Sequence, residues 1–178
     1  MDQPPPPGSS GRPPLGSPDE TPAVSLTGVD LARMRRLGGQ LAALDVPQLV
    51  IGLAGTLGAG KTTLVQSLAE AHGIPAGAVT SPTFTLVQQY AGMTPRGRHR
   101  DLLHLDTYRV SDLDEWVELG VDESLETPDQ WMLIEWAERF ADWMPPQTLW
   151  LKLLLESPTR RTVRITGGPD GLPDWWDE

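Results

Sequence analysis

Residues 55–62 combine glycines, a lysine and a threonine at the spacing of a phosphate-binding loop. They read Gly-Thr-Leu-Gly-Ala-Gly-Lys-Thr and fit the pattern G-x-x-x-x-G-K-[ST] at every defined position. In such a loop, backbone N–H groups turn inward around a phosphate chain, and the next helix start adds partial positive charge. Lys61 is predicted to face solvent and to act on the β- and γ-phosphates as a catalytic residue, while the Thr62 hydroxyl holds Mg²⁺. The predicted nucleotide contacts in this segment, named here the phosphate loop, and just after it are Gly55, Thr56, Leu57, Gly58, Ala59, Gly60, Lys61, Thr62 and Thr63.

The residues on either side predict a strand before the phosphate loop and a helix after it. Residues 49–54 are apolar and are typical of a buried strand. Residues 61–72 carry apolar side chains at helical spacing, and Gly73 and Pro75 end the pattern. Because a phosphate-binding loop requires a strand and then a helix, this context favours nucleotide binding over the alternative of a glycine-rich turn.

A second acid is needed beside such a loop, because Mg²⁺ prefers oxygen ligands in octahedral geometry. Glu135 ends the apolar run 131–134, which predicts a central strand. We therefore predict Glu135 and Thr62 as the metal ligands, with Trp136 partly exposed at the site. The alternative for Glu135 is an acid that caps the next helix.

Asp106 is the other candidate acid, near the end of the predicted strand 101–108. An aspartate there could orient the attacking water or join the Mg²⁺ shell, so we predict Asp106 as a catalytic residue. The alternatives are a helix cap and an ion pair with Arg109. His104 lies two residues earlier on the same strand face, where a structural histidine is favoured over a catalytic one.

Ser81 and Thr83 follow the predicted helix, where a hydroxyl can contact the γ-phosphate or Mg²⁺ and lose that contact on hydrolysis. Thr83 is the preferred residue of the two for this nucleotide contact. The alternative is a proline turn that leads into the next strand.

The order of predicted strands and helices along the chain indicates an α/β, P-loop NTPase-like domain of three layers. Its sheet is expected to be mixed and mostly parallel, with added antiparallel hairpins and with ligand at the carboxyl ends of the parallel strands. The predicted further elements are a helix at 30–44, strands at 83–90, 101–108, 148–155 and 161–166, and short helices near 113–120, from 122 and at 136–140.

The two ends of the 178-residue chain differ in composition from its centre. Residues 1–23 form a predicted disordered leader rich in Pro and Gly, which lacks the basic start and apolar region of a secretory signal. Residues 24–166 form the predicted ATPase domain. Residues 167–178 form a short acidic tail, whose Trp pair either docks on a surface or is loosely packed.

Composition excludes several classes of protein. The chain has no cysteine, which excludes disulfides and thiolate metal sites and fits a reducing cytoplasm. No apolar run approaches the ~18 residues of a membrane span. The net charge of −10 makes direct nucleic-acid binding unfavourable, although Arg96, Arg98 and Arg100 form either a local basic patch or a solvated hairpin tip.

Four blocks together resemble the bacterial TsaE family, the ATPases of tRNA threonylcarbamoyladenosine biosynthesis. They are the phosphate loop through Thr63, then Ser-Pro-Thr-Phe-Thr-Leu-Val at 81–87, His-Leu-Asp-Thr-Tyr-Arg at 104–109 and Ile-Glu-Trp at 134–136. Their order and gaps agree over residues 30–166. A phosphate loop alone is shared by many families, and the other three blocks make the resemblance specific.

The resemblance implies an ATP- and Mg²⁺-dependent cytoplasmic ATPase that is weak alone. It implies TsaD and TsaB as protein partners, with hydrolysis resetting their complex while it modifies ANN-decoding tRNAs, so that tRNA is engaged only indirectly. It also implies a late nucleotide contact near Thr159 and Arg160 and an adenine contact within residues 31–34, where Met34 replaces a common polar residue.

Two other functions remain open from the residues. A small-molecule kinase would need an acceptor pocket near Asp106, and the chain has no obvious lid that carries the arginines of a nucleotide kinase. A nucleotide switch would bind ATP to control a partner without hydrolysing it.

Overall fold

The computed structural model describes residues 17–20, 22–75, 77–82 and 85–169. Within these ranges the strands are β1 (Val24–Val29), β2 (Leu49–Ala54), β3 (Val87–Met93), β4 (His99–Asp106), β5 (Gln130–Glu135), β6 (Leu149–Ser157) and β7 (Arg160–Gly167). The helices are α1 (Leu31–Ala42), α2 (Lys61–Ala71), α3 (Leu113–Glu118) and α4 (Val121–Leu125), and Ala137–Trp143 forms a 3₁₀ segment. No helix in the described part of the chain has the length and apolar character to cross a membrane.

The described strands form one mixed sheet in the order β1-β7-β6-β2-β5-β4-β3. Its four central strands, β6, β2, β5 and β4, run parallel, and β7 and β3 pair antiparallel at either side. The central strands are almost continuously buried because both faces of the sheet are covered. The predicted fold class, an α/β domain with a mixed sheet and antiparallel hairpins, is confirmed.

The two faces of the sheet build two apolar clusters. Alternate side chains of β5 point to opposite faces, so Trp131 and Leu133 join the cluster that contains α1 and α2. Met132 and Ile134 join the other cluster, which contains the stacked rings of Trp116 and Phe140 with centroids 4.8 Å apart. The sheet therefore lies between two helical layers, as the three-layer prediction requires.

Two predicted elements have other bounds in the structure, and one strand was not predicted. The strand predicted from residue 83 begins at Val87, after Leu86 takes a left-handed φ of 60°, and residues 83 and 84 lie outside the described part. The helix predicted over 30–44 spans Leu31–Ala42, because Asp30 is its N-cap and accepts the N–H of Arg33 at 2.9 Å. Strand β1 was not predicted. It pairs with β7, so the first and the last strand of the sequence are neighbours in the sheet.

Residues 17–20, which belong to the predicted leader 1–23, contact the sheet. The side chain of Lys152 donates to Asp19 at 2.5 Å, and the Thr166 hydroxyl donates to the carbonyl of Ser17 at 3.4 Å. Residues 1–16 and 170–178, which hold the rest of the predicted leader and most of the acidic tail, lie outside the described residues. The predicted boundaries stay predictions.

Strand register brings the candidate acids to the phosphate loop. Leu53, near the end of β2, lies beside Glu135 of β5, and Glu135 in turn lies beside Asp106 of β4. All three are at the carboxyl edge of the parallel strands, which is the edge where ligands bind in such sheets.

Helices α1 and α2 are in close contact at Gly38. A Cβ atom built there would lie 2.5 Å from Ser67 Cβ and 2.8 Å from Leu68 N, whereas one built at the neighbouring Gly39 would meet nothing within 4 Å. Gly38 is therefore required by packing, and Gly39 is not.

We expect Gly38→Ala to lower the free energy of unfolding by about 1–3 kcal/mol, because it overpacks the contact between the helices. Gly39→Ala is the matched control and should raise that free energy by about 0.5–1 kcal/mol, since alanine favours a helix interior. Urea denaturation at 25 °C measures both values. Equal stability of the two variants would contradict the packing argument.

Candidate nucleotide-binding site

The phosphate loop connects β2 to α2 through three glycines with positive φ. The φ angles of Gly55, Gly58 and Gly60 are 139°, 77° and 104°, a region that side-chain-bearing residues rarely adopt. At Gly55 a Cβ would also lie 2.4 Å from the carbonyl oxygen of Leu153. Because Gly60 immediately precedes α2, the loop leads directly to the helix N-terminus, where free N–H groups and the helix dipole favour an anion. The shape of the loop therefore fits a phosphate group.

Lys61 is buried, which corrects the prediction that it faces solvent. The residue is 4% exposed, and Nζ donates to the carbonyls of Gly55 at 2.6 Å and Thr56 at 3.2 Å. The ammonium also lies 3.5 Å from the ring centroid of Trp136, a cation–π contact. The loop and the tryptophan thus enclose the side chain from two sides, and this long-range contact was not visible in the local pattern.

Acidic side chains balance the buried charge of Lys61. Burial lowers the pKa of Lys61, and the carboxylates of Glu135, Glu138 and Asp106 oppose that change. The ammonium therefore interacts with the loop carbonyls and with three acids. Two of these acids, Glu135 and Asp106, end parallel strands, and Glu138 lies in the 3₁₀ segment after β5.

Glu135 lies against the first turn of α2. The hydroxyl of Thr62 donates to its two carboxylate oxygens at 2.8 and 3.0 Å, and His104 Nε2 contacts Oε1 at 2.9 Å. Both Glu135 and His104 are buried, so the carboxylate is held in one orientation. The structure brings together the two predicted metal ligands, and their oxygen atoms are the type that Mg²⁺ prefers.

The backbone after Glu135 is fixed by a buried hydroxyl. Thr107 Oγ1 donates to the carbonyls of Glu135 at 2.9 Å and Trp136 at 3.1 Å. Trp136 takes a left-handed φ of 61°, which turns the chain from β5 into the 3₁₀ segment. This turn places the indole against Lys61 and against the ring of Tyr108, with centroids 4.9 Å apart.

Asp106 is buried at the same edge and accepts two hydrogen bonds. The hydroxyl of Ser81 donates to Oδ2 at 3.1 Å, and the backbone N–H of Tyr108 donates to Oδ1 at 2.9 Å. Ser81 therefore reaches the site through Asp106. Thr83, the preferred residue for the γ-phosphate contact, lies outside the described residues.

These groups line a cavity of about 310 Å³ above the phosphate loop. The predicted residues that line it are Leu57, Gly58, Gly60, Lys61, Thr62, Thr63, Ser81, Asp106 and Glu135. Tyr108 and Trp136 complete the lining, whereas Gly55, Thr56 and Ala59 form the loop backbone without facing this cavity. Among the described residues no group of three or more metal-ligating acids or histidines occurs, and Mg²⁺ commonly uses only one or two carboxylates beside phosphate oxygens.

A second cavity of about 470 Å³ adjoins the first and shares Gly60 and Thr63 with it. It lies between the start of α1 and the β6–β7 turn. Leu31 and Met34, from the region expected at the adenine, line it together with Thr159, from the region expected to make a late nucleotide contact.

Arg161 lines this second cavity. Arg160, which the family resemblance implies as a nucleotide contact, is exposed at the turn and lines neither cavity. The Arg161 guanidinium donates to the carbonyls of Gly58 at 3.1 Å and Ala59 at 3.0 Å. Adjacent strand residues point to opposite faces, so a difference of one position decides which arginine meets the loop.

Comparison with known proteins finds one family over most of the chain. The family model of the threonylcarbamoyl adenosine biosynthesis protein TsaE matches residues 29–163. The TsaE protein of Aquifex aeolicus is 38% identical over 133 residues, which cover 73% of this chain and 86% of that protein. The TsaE protein of Streptomyces coelicolor is 43% identical over 106 residues, which cover 59% of this chain and 68% of that protein.

A solved structure has the same fold. The crystal structure of YdiB from Bacillus subtilis superimposes with a TM-score of 0.65 at 26% identity, over 83% of this chain and 86% of the other. The resemblance found in the sequence is thereby confirmed, and the chain belongs to the TsaE family of tRNA threonylcarbamoyladenosine biosynthesis proteins.

Proposed function

We propose that this chain binds ATP and Mg²⁺ at the phosphate loop and hydrolyses ATP to allow turnover of a TsaD–TsaB complex. The observation that carries the proposal is the contact of the Thr62 hydroxyl with both oxygens of Glu135, next to the buried ammonium of Lys61. A hydroxyl, a carboxylate and a lysine meet there at a helix N-terminus, which is the arrangement that a magnesium triphosphate requires.

The two adjoining cavities divide the nucleotide between them under this proposal. The adenine would occupy the larger cavity, which is lined by the start of α1 and by Thr159. The phosphates would pass Gly60 and Thr63, which both cavities share, and reach the phosphate loop. Arg161 lines the larger cavity while it holds the loop carbonyls of Gly58 and Ala59, and so it links the base site to the phosphate site.

Thr62 and Glu135 would hold the metal ion. Mg²⁺, when bound, would neutralise charge on the β- and γ-phosphates. His104 keeps the Glu135 carboxylate pointed at Thr62, since its ring nitrogen contacts Oε1 at 2.9 Å in a fully buried position. The role of His104 is thus to orient the ligand.

Asp106 would orient the attacking water. Its two oxygens already accept from Ser81 and from the N–H of Tyr108, so the carboxylate is fixed while it lines the phosphate cavity. Catalysis of phosphoryl transfer consists mostly of positioning and charge stabilisation, which a fixed acceptor supplies.

Partner proteins would complete the site. Among the described residues, Lys61 is the one cation that lines the phosphate cavity. At its rim, Leu57 is 81% exposed and Tyr108 is 54% exposed, so apolar surface is left open to a partner. We infer slow hydrolysis by the isolated chain and stimulation by TsaD and TsaB. With a net charge of −10, the chain would contact tRNA only through that cytoplasmic complex.

The decisive experiment measures ADP release by the purified chain alone, with TsaD, with TsaB and with both. The proposal requires Mg²⁺-dependent release that rises when both partners are present. Release that depends on a small acceptor, with a phosphorylated product, would establish a kinase. ATP binding without release under any of these conditions would establish a switch.

Replacing Asp106 by Asn should lower the partner-stimulated kcat by about 100-fold or more, because the neutral amide lacks the charge and basicity of the carboxylate that orients the attacking water. The Kd for ATP should change by less than about threefold, since Asp106 is not a phosphate ligand. Asp101→Asn is the matched control at the opposite end of the same strand, and its kcat should equal that of the wild type. Unchanged turnover in Asp106→Asn would remove the proposed catalytic role.

Replacing Glu135 by Gln should raise the Mg²⁺ concentration at half-maximal turnover by about tenfold, because the amide lacks the charge of the carboxylate. A glutamine oxygen can still accept from Thr62, so the fold should be kept, and the Mg²⁺-free affinity for ADP should not fall, because a negative charge beside the phosphates is removed. Titration of Mg²⁺ in the ATPase assay, together with ADP calorimetry in EDTA, separates the two effects. An equal loss of ADP affinity without metal would argue against the assignment of Glu135 as a metal ligand.

A further inference from the structure

An acid of the 3₁₀ segment, Glu138, lies behind the phosphate loop. Glu138 Oε1 accepts the backbone N–H of Gly55 at 3.1 Å, although the two residues are 83 positions apart. The other oxygen, Oε2, is buried and has no hydrogen-bond partner among the described residues. Glu138 lines neither of the two cavities described above, so it does not belong to the nucleotide-contacting set.

Gly55 is held at both of its peptide groups. Its N–H donates to Glu138, and its carbonyl accepts from Lys61 Nζ at 2.6 Å. The Leu153 carbonyl blocks the side on which a Cβ would stand, at 2.4 Å. The residue at which β2 becomes the loop is therefore fixed by groups from α2, β6 and the 3₁₀ segment.

The charge of Glu138 does not explain its position. A carboxylate behind a triphosphate site repels the ligand, and burial raises the pKa of Glu138, against which the Gly55 N–H, Lys61 and Lys152 act. Lys152 is already paired with Asp19, and Lys61 donates to loop carbonyls. Among the described residues, Glu138 is the group that accepts the Gly55 N–H.

We propose that Glu138 is a positioning residue, whose carboxyl oxygen fixes the Gly55 peptide and thereby the entry to the phosphate loop. It acts through Gly55 and does not touch the nucleotide. The turn at Trp136 makes this possible, because it sends the chain from Glu135 at the mouth of the site to Glu138 behind the loop within three residues. One short segment thus supplies a metal ligand in front and a support behind. The expected effect of Glu138 on nucleotide affinity rests on the proposed function, whereas its expected effect on the Gly55 peptide does not.

The test compares Glu138→Ala, Glu138→Gln and the wild type by NMR amide exchange without nucleotide. Glu138→Ala removes the acceptor, so exchange at Gly55 should become about tenfold faster or more. Glu138→Gln keeps an acceptor oxygen and should restore the wild-type rate. Glu115→Ala is the matched control, because Glu115 also accepts a backbone N–H, that of Ser111 at 2.7 Å, outside the phosphate loop. It should leave exchange at Gly55 unchanged.

The Kd for ADP, measured on the same samples below their melting temperatures, should follow the same order. Affinity should fall about tenfold in Glu138→Ala and should equal or exceed the wild-type value in Glu138→Gln, where the acceptor remains and the repulsion is gone. A purely structural role would lower the melting temperature without this rescue pattern.

Two results would overturn the proposal: unchanged exchange at Gly55 in Glu138→Ala, or fast exchange in Glu138→Gln. If Glu138→Ala fails to fold, the rate in Glu138→Gln decides alone. If the wild type binds no nucleotide, the proposed function fails, and exchange at Gly55 still decides whether Glu138 holds the loop.

Discussion

A phosphate-binding loop must expose its N–H groups to a ligand while its own carbonyls find partners elsewhere. The loop has no strand or helix ladder to satisfy them, and unpaired backbone groups are costly when buried. Here two cationic side chains donate hydrogen bonds to the loop carbonyls from two directions. Lys61 donates to the carbonyls of Gly55 and Thr56, and Arg161 donates to those of Gly58 and Ala59. The conformation of the loop therefore depends on the final hairpin as much as on its own glycines.

The same requirement governs the electrostatics of the site. The chain carries a net charge of −10, and three of its acids surround the one lysine that lines the phosphate cavity among the described residues. A phosphate bound as the proposed function requires would take Lys61 from the loop carbonyls and share it with those acids. Under the proposed function, a divalent cation between Thr62 and Glu135 offsets that repulsion, which explains why the oxygen ligands and the lysine lie side by side.

Local patterns predicted the parts of the site that belong to single segments. The phosphate loop, Glu135 at the end of β5 and Asp106 at the end of β4 were all found from strand ends and residue types, because parallel strands gather such ends at one edge. What could not be predicted depends on contacts between distant segments. Trp136 covers Lys61, Glu138 reaches Gly55, and Arg161 rather than Arg160 faces the loop. The last case turns on the register of a hairpin, where a shift of one residue exchanges its faces.

Under the proposed function, the open rim accounts for slow catalysis by a loop that is otherwise well supported. Its supports lie behind and beside it, from Glu138, Lys61 and Arg161, whereas Leu57 and Tyr108 in front remain exposed. Water that reaches this side screens the field of Lys61 and of any bound metal, since electrostatic interactions weaken as the local dielectric constant rises. A partner that covered Leu57 and Tyr108 would remove that water and strengthen the existing contacts without having to rebuild the loop. Under the proposed function, stimulation would then come from exclusion of solvent and from added charge at a site that is already arranged.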